Sequence, residues 1–110
     1  MITRFALFDG HVKPGHEEAF RRDVLETLLP MWKRFPGALS VRVCFAESRD
    51  EGAPDYPLIL AVGYPDMAAV ETALASPIRM ESRAATEAVL ARHFEGRVHH
   101  HVTTAHEFPL

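Results

Sequence analysis

His99, His100 and His101 stand in a row near the end of the chain, and three adjacent imidazoles offer two kinds of chemistry. Successive side chains on a strand point to opposite faces, so His99 and His101 project together about 7 Å apart while His100 projects alone to the other side. A His-x-His pair can supply two metal ligands, with His93, His106 and Glu107 as further donors among which spacing does not choose. A single imidazole facing a pocket can instead take or give a proton near neutral pH. His100 shares its predicted face with Val98 and Val102, which makes it the candidate base; the competing reading is a buried, neutral, hydrogen-bonded histidine.

Other residues could serve a ligand at the same sheet. Arg42 and Cys44 share one face of a predicted strand, and Arg4 shares a face with Ala6 and Phe8 on another. An arginine inside a sheet needs an anionic or carbonyl partner, so Arg42 either binds a ligand carboxylate or pairs with a carboxylate across a subunit contact. Cys44 has no motif for nucleophilic work and reads as a small buried thiol. Trp32, beside Phe20 and Phe35 on one helical stripe, is either core or the wall of a pocket for a flat compound. Tyr56 and Tyr64 bracket a strand, where a hydroxyl can reach a ligand or close a pocket edge. No glycine-rich phosphate loop, zinc-type cysteine pattern or nucleophile elbow occurs, so no cofactor class is indicated.

These residues must be positioned by a small set of elements. Ile2 to Phe8 reads as a strand ended by Asp9-Gly10, and Pro14-Gly15 turns the chain into a helix over His16 to Phe35. In that helix Phe20, Val24, Leu25, Leu28, Met31, Trp32 and Phe35 recur at spacings of three and four, and Pro30 predicts a kink or break near Leu28 and Leu29. Leu39 to Glu47 alternates as a half-polar strand, the charged segment SRDEGAPDY is a loop, and Pro57 to Tyr64 is a strand apolar on both faces. Asp66 caps a helical turn over MAAVETALA. Ser76-Pro77 starts a second helix running to Phe94, whose expected packing face is Met80, Ala84, Ala88 and Ala91, with Ala85, Val89 and Phe94 beside them. Gly96 closes that helix, and Arg97 to Phe108 forms the last strand.

The order strand, helix, strand, strand, helix, strand is the ferredoxin-like split βαβ arrangement, an α+β fold with one four-stranded antiparallel sheet in a single domain over residues 1–110. Two helical regions can shelter one face of such a sheet. The strand PLILAVGY is apolar on both, so its second face calls for another copy of the chain, and a homodimer through the sheet is the expectation. A net charge of −3 with 25% charged residues leaves no footprint for nucleic acid. No apolar run is long enough for a membrane span. One cysteine and a start, MITRFALFDG, without the pattern of an export signal lead to the expectation of a cytoplasmic protein.

This order, with the first helix running into the turn of RFPGALSVRV and ALASP in the second helical region, resembles the dimeric α+β-barrel superfamily. The nearest-looking branch is the EthD-like group, with stress-responsive barrel proteins and antibiotic-biosynthesis-monooxygenase-like proteins as competitors. EthD-like proteins typically carry a histidine two residues before a proline of the first helix, where this chain has Leu28 before Pro30. The resemblance implies two facing sheets that form a barrel between subunits, with a small organic ligand held between sheet and helices. It also implies either a cofactor-independent oxygenase or auxiliary degradation enzyme, or a stress-response or ligand-binding module without catalysis. On the first of these, His100 moves the proton, Tyr64 or Arg42 orients an oxygen, and Trp32, His99 and His101 complete the set of ligand-facing residues. Metal or haem binding by the histidine-rich strand is the remaining alternative.

Overall fold

A computed structural model describes all residues, Met1–Leu110. Its strands are β1 (Ile2–Val12), β2 (Ser40–Phe45), β3 (Leu58–Tyr64) and β4 (Phe94–Thr104), and its helices α1 (Glu17–Asp23), α2 (Leu29–Trp32), α3 (Met67–Leu74) and α4 (Pro77–His93). The sheet order is β2-β3-β1-β4 with every pair antiparallel, which is the expected ferredoxin-like α+β topology. No helix is long and apolar enough to cross a membrane.

The helices lie on one side of this sheet. Leu58, Leu60, Val62 and Tyr64 of β3 and Ala6 and Phe8 of β1 are buried beneath them, together with Phe20, Val24, Leu28, Trp32 and Phe35 of the first helical region. Two aromatic contacts tie helix to sheet: Phe20 stacks on Phe94 of β4 with ring centroids 6.1 Å apart, and it meets Phe45 of β2 edge-on at 6.5 Å. On the other side Ile59 and Ala61 are only partly covered, and Ser40, Arg42 and Cys44 are exposed. Cys44 is therefore not the buried thiol expected of it; it projects from the uncovered face.

The break expected at Pro30 takes a particular form. Between α1 and α2 the chain makes a π turn over Val24–Leu28, and the N–H of Leu29 donates to the carbonyl of Val24, five residues back. Proline lacks the donor that an α-helix needs and crowds the preceding turn, and the wider winding relieves both demands. It also sets the core stripe. An uninterrupted α-helix rotates about 120° beyond whole turns between Phe20 and Trp32, and the extra residue takes back about 100° of it. Phe20, Val24, Leu28 and Trp32 consequently stay on the core side, whereas Leu25, expected in the stripe, is 45% exposed.

Asp66 caps α3 as expected, its Oδ1 accepting from the N–H of Ala69 at 2.9 Å. Three other expectations are corrected. Ser76 precedes Pro77 at the start of α4, but its hydroxyl donates back to the carbonyl of Ala73 instead of capping the helix. The buried side of α4 is Ile78, Ser82, Val89 and His93, with Ala85 partly covered, while Met80, Ala84, Ala88 and Ala91 face outward. Alanine carries too little apolar surface to decide which face a helix presents, and Ile78 and Val89 decide it here. Gly96 does not end α4; it lies within β4 opposite Gly10 of β1, both at positive φ. A Cβ on either would strike the facing backbone, of Glu95 in one case and Asp9 in the other, so the strands approach there as only glycine allows.

Candidate ligand site

The pairing of β1 with β4 fixes where each histidine points. His100 is opposite Ala6 and Val98 opposite Phe8, so both lie on the helix side, while His99 and His101 are opposite Leu7 and Phe5 on the uncovered side. The expected alternation therefore holds, and it divides the candidate residues. Trp32, Tyr64 and His100 share the helix side; Arg42, His99 and His101 share the other. One ligand on one side of the sheet cannot touch all six.

Between the helix layer and the β1–β4 half of the sheet is a cavity of about 470 Å³, within the range of small-ligand pockets. Ala6, Phe8 and Leu60 of the sheet and Trp32 and Phe35 of the first helical region form its apolar wall. Arg79, Ser82, Arg83, Thr86 and Glu87 of α4 add polar groups on the helix side, and Arg4 and His100 add them from the sheet. Trp32, only 3% exposed, serves as core and wall at once. Tyr64 is buried beside this group. Burial pushes its phenol up, and the positive charges of Arg4 and Arg79 pull against that shift.

His100 is exposed at the cavity and makes no hydrogen bond within the protein, so it is not the buried and satisfied histidine of the alternative reading. Its pKa is pushed down to about 4, first by loss of solvation and then by Arg4, Arg79, His99 and Arg83. The ring is open at the surface, which weakens the first cause, but repulsion by nearby guanidiniums acts in the same direction and keeps it neutral at pH 7. A neutral imidazole has a free nitrogen lone pair and can accept a proton.

A larger cleft of about 520 Å³ lies at the other end of the sheet, against the loop from Ala46 to Pro57. Most of its charges are already paired. Arg49 meets Asp55 at 2.9 Å, Arg21 meets Glu47 at 3.9 Å and His11 meets Glu95 at 3.0 Å. Of the residues considered above it contains Tyr56 and Cys44, and Glu17 is its one charged side chain without an ion-pair partner.

One cluster escapes a reading of the sequence. His93, 8% exposed at the end of α4, donates from Nε2 to Oδ2 of Asp23 at 2.7 Å, since an ionised carboxylate can only accept. Its Nδ1 is hydrogen-bonded to Nδ1 of His16 at 3.0 Å, and His16 accepts when His93 is protonated and donates when it is neutral. Arg92 stands 3.5 Å from the same carboxylate oxygen, and the bond from His93 with these neighbours holds the Asp23 carboxyl below its usual range. The chain Asp23–His93–His16 ties α1 to the end of α4. Its members are far apart in the sequence, and only the periodic burial of His93 on α4 signals it.

His99 and His101 lie side by side with ring centroids 5.7 Å apart, and Tyr56 meets His99 edge-on at 6.0 Å. No group of three or more histidine, cysteine, aspartate or glutamate side chains is placed to hold a metal ion, so the pair gains no further ligand from His93, His106 or Glu107.

No protein-family model and no curated protein sequence matches the chain. Solved structures do. An EthD-family protein from Bacillus halodurans superposes with a TM-score of 0.77 at 16% identity, covering 96% of this chain and 99% of that one. SnoaB, a cofactor-independent oxygenase from Streptomyces nogalater, gives 0.65 at 20% identity over 97% and 94%. A dimeric protein with a ferredoxin-like fold from Bacteroides fragilis gives 0.60 at 14% identity over 91% and 93%. The order of elements, the sheet topology and these superpositions agree: the chain has the ferredoxin-like fold that EthD-family and antibiotic-biosynthesis-monooxygenase proteins share.

Proposed function

We propose that this protein binds a small apolar or aromatic metabolite between its sheet and its helices, and that it does so as a homodimer closed across the uncovered sheet face. The observation that carries the reading is the cavity itself: an aromatic and aliphatic wall that includes Trp32, with a neutral histidine at its edge. Such a site suits a substrate with an acidic C–H or O–H. His100 accepts the proton, the electron pair stays on the substrate oxygen, and the activated substrate then reacts with oxygen. The likeness in fold to a cofactor-independent oxygenase supports that direction. Arg42, His99 and His101 then belong to the subunit contact and not to the pocket.

The test is oxygen consumption with a panel of enolisable aromatic substrates, comparing the native protein with His100→Ala. Turnover should fall by about 10²-fold or more while the dimer persists. Unchanged turnover would remove His100 as the base. A second reading, a binder without catalysis, draws on one observation: no carboxylate orients the His100 ring, in contrast to His93 held by Asp23. Ligand binding with no oxygen uptake by the native protein across the panel would favour it.

A further inference from the structure

The cavity carries more positive charge than the protein neutralises. Arg4 on β1 and Arg79 on α4 both line it, 75 residues apart in the sequence, and neither has a carboxylate partner within 4.0 Å. The one acidic residue at the cavity, Glu87, is engaged by Arg83 one turn away on α4 at 3.6 Å. Burial holds both Arg4 and Arg79 below the usual guanidinium range, and each is also lowered by a neighbouring arginine. Guanidinium groups remain charged in proteins, so two of them with no partner at one cavity are a standing electrostatic cost. An anion seated between them removes that cost and gains charge-assisted hydrogen bonds from planar donors suited to oxygen pairs. The opposite wall is apolar, with Trp32 and Phe35.

We infer that the ligand of this cavity is an organic anion, a planar apolar body bearing an ionised oxygen that lies between Arg4 and Arg79. This inference rests on the pocket proposed above and specifies what enters it. The ionised oxygen belongs either to a carboxylate or to an enol or phenol that loses its proton in the site. In the second case the same arginines stabilise the charge that His100 creates.

The probes are 2-naphthoate, its neutral isostere 2-naphthamide, and 2-naphthol, titrated calorimetrically at pH 7. Trp32 is the only tryptophan, so its single indole N–H resonance reports whether a probe has reached the wall. The expected result is 2-naphthoate binding at least about tenfold more tightly than 2-naphthamide, as charge-assisted bonds require. That preference should vanish in Arg79→Gln, return in Arg79→Lys, and persist in Arg42→Gln on the other sheet face. Bound 2-naphthol showing the absorbance of its anion at pH 7 would identify an ionised enol or phenol as the source; naphthoate preference without it would identify a carboxylate. Equal binding of naphthoate and naphthamide overturns the anion inference and leaves the pocket reading intact. A preference that survives Arg79→Gln overturns it too. If no probe moves the Trp32 resonance at millimolar concentration, the pocket reading and the inference fail together.

Discussion

The two faces of the sheet are made from the same strands, yet they differ in almost every physical respect. On the helix side Leu58, Leu60, Val62 and Tyr64 are at most 7% exposed, and Arg4, Arg79 and His100 meet at one cavity. On the other side Ile59, Ala61, Phe5 and Leu7 are partly open, with Arg42, Cys44 and His101 standing among them. A face that mixes partly open aliphatic side chains with an unpaired arginine has the composition expected of the subunit contact proposed above. Alternation along a strand thus sorts chemistry as well as burial. His100 and its neighbours His99 and His101 differ by one position and serve different surfaces.

The contrast can be broken most directly at adjacent residues of β3. Leu58→Ala, on the covered side at 0% exposure, should cost about 2–5 kcal/mol in urea unfolding. Ile59→Asp, one residue on, should leave a folded chain but weaken self-association by about 100-fold or more. Light scattering should then read 12.3 kDa where the proposed dimer of the native protein reads twice that mass. A native protein that stays at 12.3 kDa at micromolar concentration would remove the dimer.

A smaller effect distinguishes the oriented histidine from the unoriented one. Asp23→Asn removes the charged acceptor of His93 and should cost about 1–3 kcal/mol. The Asp23 carboxyl lies below its ordinary value in the folded chain, so the unfolded chain binds more protons as pH falls through the carboxylate range. Its stabilisation is present at neutral pH and is lost as the solution is acidified through that range, and the Asn variant should lack this part of the acid transition. Unfolding midpoints measured from pH 7 to pH 2 decide it; identical curves would show that the chain Asp23–His93–His16 bears no load.

The smallest effect is expected at His100, because its ring is exposed and solvent screens much of what the shift would otherwise contribute. Its folded pKa of about 4 lies below the usual 6.5, so between those values the unfolded chain takes up a proton that the folded chain refuses. Stability therefore falls as pH drops from 6.5 to 4, and His100→Gln should flatten the curve in that window while leaving the lower one to Asp23. An unchanged slope between pH 6.5 and 4 would mean that the ring titrates as if free.

How much of this could be read in the sequence varied with the range of the cause. Alternation is a property of neighbouring residues, so the faces of β2, β3 and the histidine row are legible in the sequence. Pro30 announced a break, but not its form, because choosing a π turn depends on which side chains the sheet will accept; Leu25 was misplaced for that reason. On α4 a run of alanines looked like a packing face, while the residues that do pack are fewer and larger. The pairing of Arg4 with Arg79 and of Asp23 with His93 depends on β1, α1 and α4 meeting in space, which no local pattern encodes.

The π turn has one more consequence. Val24–Leu28 holds one residue more than regular winding would need, and everything after it is phased by that surplus. Deleting a single residue there would restore regular winding and leave the indole of Trp32 on the same side, because one α-helical step fewer reaches the same phase as the wide turn does. A wide turn at this point therefore lets the architecture absorb a single-codon insertion while the pocket lining beyond it keeps its place.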